Sequence, residues 1–140
     1  MNDTILAVDS TIPLRITDAG RNAAGLRGEQ KDCTVRAFAV ARNVPYIEAH
    51  KALHELGRRL GRGFKFRIVA EKRPDLFTRQ QFAKGNRKRV KTLLRDHKFP
   101  GRYVFRITGH VFAVVDGIIH DNVTFDSLKN CIVTDIYTAV

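Results

Sequence analysis

The sequence predicts an α+β domain in which N-terminal helices pack on a C-terminal antiparallel sheet. Three observations carry this. Apolar residues recur at helical spacing between positions 32 and 60. From position 101 onward the chain is dense in Val, Ile, Phe and Tyr, broken by Gly and Asp, which reads as strands. Asp116-Gly117 lies between two apolar runs and signals a tight hairpin. With 140 residues, 44% of them hydrophobic, the chain can bury a core without staples, so a single domain spanning 1–140 is expected.

Taken in order, "TILAV" and "TIPLRI" have strand-like β-branched content, and Pro13 is expected to confine the second to a sheet edge or an arm. "DAGRNAAGLRG" is loop-like through its glycines. Asp32 is a good N-cap residue, and Val35, Phe38 and Ala39 recur at helical spacing up to about Arg42. Asn43 suits a helix exit, and Val44 is pushed out of the α region by Pro45. Pro45 then opens a second helix, whose stripe is Tyr46, Ala49, Leu53, Leu56 and Leu60 before Gly57, Gly61 and Gly63 loosen and close it. "FKFRIVA" alternates apolar and charged residues and is read as a strand. Two helical pieces are expected next, one near "TRQQFA" and one in "NRKRVKTLLRDH" with Val90, Leu93 and Leu94 on one side. "GRYVFRITG", "HVFAVVDGIIHDN" and "CIVTDIYTAV" complete the chain as strands.

Charge is unevenly placed. The chain carries 25 basic and 14 acidic residues, net +11, yet positions 58–102 hold 16 of the bases and only 3 of the acids (Glu71, Asp75, Asp96). That segment is +13 and the remainder −2, so the basicity belongs to an insertion-like stretch rather than to the whole fold. It implies a nucleic-acid or other acidic partner, or else a solvated face. Arg87, Lys88, Arg89, Lys91 and Arg95 are its candidate contacts; Phe82 and Phe99 flank them without interleaving, which favours phosphate contact over base stacking. No apolar run approaches the roughly 20 residues needed to cross a bilayer, and the acidic N-terminus lacks a signal peptide's basic region, so a cytoplasmic protein without membrane contact is expected. Cys33 and Cys131 are then expected to be reduced. No cofactor or metal signature is present: His50 and His54 are four apart, but "HKALH" lacks the glutamate a zinc hydrolase helix carries.

Cys33 carries the chemistry, or else it simply packs. At the first helical position it faces free backbone N–H groups and the positive end of the helix dipole, which favour thiolate. A thiolate nucleophile needs a base and a group to orient that base. His110 begins the strand "HVFAVV", which folds back through Asp116-Gly117 into "IIHDN". A two-residue turn sets Val115 opposite Ile118 and Phe112 opposite Asp121, making His110 and Asp121 diagonal neighbours on one face, with His120 on the other. A bulged three-residue turn would give Asn122 that position instead. Arg36 is placed either to salt-bridge near the site or to anchor an acidic group.

"DCTVRAFAVA" followed by "GHVFAVVDGIIHDN" resembles the papain-like cysteine peptidases, in particular compact bacterial and phage members, bacteriocin-processing peptidases and ovarian-tumour deubiquitinases. The resemblance covers about residues 29–60 and 100–125. It implies a papain-like fold and a phage or bacterial thiol hydrolase acting on an amide or isopeptide bond of a protein or peptide. Cys33 would be the nucleophile, His110 general base and acid, and Asp121 the orienter. The family places an oxyanion-binding glutamine six residues before the cysteine, where this chain has Arg27. The role then falls to Gln30 or to the Cys33 N–H with a neighbour; left unfilled, it would make the chain an inactive papain-like scaffold, a nucleic-acid-binding or virion protein.

Overall fold

The computed structural model describes residues 4–9, 12–26 and 29–140. One seven-stranded sheet organises them, in the order β1-β2-β7-β6-β5-β9-β3. Its centre comes from the C-terminal third: β5 (Arg102–Ile107), β6 (His110–Val115), β7 (Ile118–Asp121) and β9 (Asp135–Ala139), all paired antiparallel. The sheet is nevertheless mixed and wider than the C-terminal third, because earlier strands extend both sides.

On one side β1 (Thr4–Asp9) and β2 (Ile12–Ile16) form an antiparallel pair, and β2 runs parallel to β7. Pro13 therefore sits on an interior strand, not an edge. It is tolerated because the ladder with β7 begins only at Leu14, and the pairing with β1 shifts register between Ala7 and Asp9, so no bond from a Pro13 N–H is required. On the other side β3 (Phe77–Gln81) pairs with β9 from Phe77↔Ala139 to Gln81↔Asp135. This stretch contains "TRQQ" of the segment read above as helical. Four polar residues on an edge strand carry no apolar period, and backbone pairing with β9 decides their conformation.

Helices cover both faces. α2 (Cys33–Arg42), α3 (Tyr46–Glu55) and α4 (Phe66–Lys72) pack Val35, Phe38, Tyr46, Leu53, Phe66 and Val69 against Val104, Val111, Ala113 and Tyr137. α5 (Val90–Asp96) and α6 (Phe125–Leu128) pack Val90, Leu93, Phe125 and Leu128 against Phe105, Phe112, Val114, Ile119 and Ile136 on the opposite face. Strand alternation sorts these two sets. A short helix α1 (Arg21–Ala24) and a small pair, β4 (Lys88–Arg89) with β8 (Ile132–Val133), complete the fold.

Three further expectations are corrected. "FKFRIVA" holds the start of α4, not a strand: burial of Phe66, Val69 and Ala70 follows helical spacing, and Phe66 packs edge-on to Phe77. The second helix ends at Glu55, leaving Leu60 52% exposed, because the chain turns at Gly57 in the left-handed region. The "NRKRVKTLLRDH" helix begins at Val90, after Lys88 and Arg89 have paired with β8.

Candidate active site at the end of the sheet

α2 lies along β6. Its first residue, Cys33, meets His110 and Val111, while its last turn lies beside Val115, where the Val40 carbonyl accepts from Arg102 Nη1 at 2.7 Å. The nucleophile candidate and the start of β6 thus share one end of the sheet. The hairpin registers as the two-residue turn requires, with Val115↔Ile118 and Ala113↔His120. Asp116 and Gly117 both adopt positive φ (50° and 79°), the backbone a primed turn demands.

That register carries Asp121 to the His110 ring: Nε2 lies 2.6 Å from Asp121 Oδ2. Nε2 is thereby committed to Asp121, and the Cys33 sulfur lies close enough to the ring for each to shift the other's ionisation. Cys33, His110 and Asp121 are therefore brought together. Asp121, rather than Asn122, sets its side chain against the ring; Asn122 is exposed, and its backbone N–H donates to Asp121 Oδ1 at 2.8 Å. His120 faces away, lining a separate cavity with Arg15, Asn43 and Arg102.

Electrostatics favour an ion pair. Burial opposes a Cys33 thiolate, but the His110 hydrogen bond, the Val111 N–H and the charges of His110 and Arg36 outweigh it, holding the thiol below its ordinary 9.0. Burial likewise opposes a charged His110, yet Asp121 and Cys33 raise it from 6.5 to about 9. Both shifts run toward an ion pair, thiolate on Cys33 and imidazolium on His110.

Behind the triad stands a relay of buried charges. Arg36 donates from Nη1 to Asp121 Oδ1 at 2.9 Å and from Nε to Asp32 Oδ1 at 3.1 Å. Asp32 is 2% exposed and also accepts from Arg21 Nη1 (3.2 Å) and the Tyr46 hydroxyl (2.9 Å). Asp32 therefore occupies the N-cap position of α2 without capping it, because its carboxylate is spent on this network. The first N–H groups of the helix are left uncapped by that side chain, beside the sulfur. The Asp32–Arg36 contact was legible as an i,i+4 pair; its extension to Asp121 was not, since 85 positions separate the partners.

The cluster opens into a cleft of about 880 Å³ that Gln30 and Asn122 also line. Gln30 is exposed, and its backbone carbonyl accepts weakly from Arg58 Nη2 at 3.5 Å, so the residue borders the site. Glu29, one residue earlier, fixes this approach: Arg58 Nη2 donates to its Oε1 at 2.5 Å, and His50 Nε2 lies 2.9 Å from its Oε2 without hydrogen-bond alignment. His54 Nδ1 sits 3.1 Å from the Arg58 carbonyl. His50 and His54 thus face separate structural partners, and among the described residues no cluster of three potential ligands could hold a metal. Arg27 lies outside the described residues.

The basic candidates Arg87, Lys88, Arg89, Lys91 and Arg95 do not line the cleft. They belong to the β4–α5 region, whose Val90 and Leu93 pack on the far face of the sheet; Arg87 Nε donates to the Phe82 carbonyl and Arg95 Nε to Asp96. The cleft draws its positive charge from residues not singled out in the sequence: Arg21, Lys31, Lys65, Arg67, Arg79 and Arg106. Both cysteines are free. Among the described residues no helix is long and apolar enough to cross a membrane.

Comparison of the chain with protein-family models, with curated proteins and with solved structures returns no match.

Proposed function

We propose that the protein is a thiol hydrolase of papain-like type, cleaving an amide or isopeptide bond of a protein or peptide. The observation that carries this reading is the convergence of Cys33, His110 and Asp121, with His110 Nε2 held 2.6 Å from Asp121 Oδ2 and the ring beside the Cys33 sulfur. Cys33 attacks the carbonyl carbon and forms a thioester as the C–N bond breaks. His110 gives its proton to the departing amine, then takes one from the water that hydrolyses the thioester. Asp121 fixes the ring and stabilises its charge. The uncapped N–H groups at the start of α2, with Gln30 at the cleft rim, serve the developing oxyanion.

Iodoacetamide labelling of Cys33 across pH tests this. A thiol ionising at the ordinary 9.0 is about 1% thiolate at pH 7. Full ionisation therefore raises the labelling rate at most about 100-fold, less the lower nucleophilicity of a more acidic thiol. Wild type should label faster than an ordinary thiol at pH 6 to 7, and His110→Ala should lose the advantage. Equal rates in the two proteins would refute the nucleophile.

A second reading, an inactive scaffold binding nucleic acid, is favoured by one observation: Lys88 and Arg89 are exposed on a surface apart from the cleft. It expects salt-sensitive DNA or RNA binding that Cys33→Ala leaves intact and Lys88→Ala with Arg89→Ala weakens.

A further inference from the structure

We propose that the cleft selects an acidic peptide, in which Asp or Glu side chains flank the carbonyl presented to Cys33; this rests on the thiol-hydrolase reading above. Among the described residues, six cationic side chains besides Arg36 line the cleft, against one carboxylate, Asp32, which is 2% exposed and already spent on Arg21, Arg36 and Tyr46. The imbalance faces the space a substrate must enter.

Strand register gives the cations a layout. Val111, beside the sulfur, pairs with Arg106 on β5, which pairs with Asp135 on β9; one strand further, Arg79 on β3 pairs with Tyr137. Strands lie roughly 4.8 Å apart, which sets Arg106 about 5 Å and Arg79 about 14 Å from Val111 across the sheet. An extended peptide advances about 3.4 Å per residue, so these positions match side chains about one to two and about four residues from the scissile carbonyl. Asp135, 2% exposed, holds both guanidiniums from below, with Oδ2 at 2.7 Å from Arg79 Nε and Oδ1 at 3.8 Å from Arg106 Nη1. One carboxylate is shared by two cations, so the row keeps net positive charge and spare N–H donors for carboxylates. Lys65 and Arg67, both exposed, flank the buried Phe66 at the start of α4 and extend the field along the cleft wall.

A peptide fits better than a nucleic acid. Of the Phe and Tyr side chains that border the cleft, Phe66 and Tyr137 are 2% and 1% exposed and Phe64 alone is half-buried, so successive bases find no row of faces on which to stack. Cys33 also requires an acyl carbon, which a peptide or isopeptide supplies.

The test is fluorescence polarisation with Cys33→Ala protein at low ionic strength. The probes are labelled peptides with glutamates two and four residues from a central Gly-Gly, on either flank, and matched Gln and Lys versions. The Glu peptide on one flank should bind at least about tenfold tighter than its Gln counterpart, since several partly exposed charge pairs each add about twofold to fivefold. Arg106→Gln and Arg79→Gln should each lose about twofold to fivefold. Should those variants misfold around Asp135, the exposed pair Lys65→Gln and Arg67→Gln gives the same readout. No Glu-over-Gln preference on either flank, or a charge-matched oligothymidine binding as tightly as the Glu peptide, overturns the proposal. Because binding is read without the thiol, a preference for Glu stands even if Cys33 labelling fails, and its absence sinks this inference alone if labelling succeeds.

Discussion

Replacing Arg36 with methionine should destabilise the fold and loosen the triad together. The guanidinium is 11% exposed and bridges two carboxylates, Asp32 at 2% and Asp121 at 0% side-chain exposure. Removing one partner of a buried ion pair typically costs about 3 to 5 kcal/mol, because the orphaned charge remains desolvated. Here Asp32 keeps Arg21 and Tyr46, and Asp121 keeps His110 and the Asn122 N–H, which places the cost near the lower end, about 3 kcal/mol. With a urea m-value of about 2 kcal/mol per molar, the unfolding midpoint should fall by about 1.5 M. Arg36→Lys should fall in between, since an ammonium cannot span both carboxylates as the planar fork does. Acid unfolding supplies a second reading. Burial opposes the Asp32 carboxylate, but Arg36 and Tyr46 prevail and hold it below its ordinary 3.8. Its stabilising contribution is therefore complete above 3.8 and is lost as pH falls through its lower folded-state value. Without Arg36 that depression shrinks, so the acid midpoint should move up. Equilibrium urea curves followed by circular dichroism, at neutral pH and across the acid range, measure both. A midpoint within about 0.3 M of wild type, with unchanged acid behaviour, would refute the bridging role.

Other outcomes follow from the same geometry. Proton NMR should find His110 titrating near 9 rather than 6.5; its contribution to stability is then complete below 6.5 and lost as pH rises through about 9, and a titration near 6.5 would contradict the ion pair. Asp121→Ala should slow Cys33 alkylation at neutral pH whereas Asn122→Ala should not, and equal slowing by both would reassign the orienter. Tyr46→Phe removes a hydrogen bond to a buried carboxylate and should cost about 1.5 to 3 kcal/mol in the same urea assay. Gly117→Val forces a β-branched residue to positive φ and should destabilise the hairpin by at least about 1 kcal/mol, measured as a lower melting temperature.

The hairpin was the most legible part of the molecule. Asp116-Gly117 favoured a two-residue turn, from which a period of two places Asp121 against His110; the observed register decides for that turn over the bulged one that would have offered Asn122. Cys33 at a helix start was equally local. Short polar stretches were not legible. "TRQQ" became an edge strand because β9 offered it a ladder, and "FKFRIVA" contributed a helix because Phe66 found Phe77 and Tyr137. Pro13 entered the sheet interior where register shifts spared its missing N–H.

By itself, then, the sequence determined the α+β class and narrowed the hairpin to two registers, signals that each lie within a few positions of one another. Tertiary structure alone decided which charges surround Cys33, His110 and Asp121. Arg36 reaches Asp121 across 85 positions, and Arg79 reaches Asp135 across 56, where the same carboxylate also holds Arg106. Contacts of that separation depend on strand order and helix placement, and buried charges settle where several weak local preferences and one strong desolvation penalty are satisfied together. The charge that appeared as one basic segment is divided by the sheet into a far surface and the wall of the cleft before Cys33.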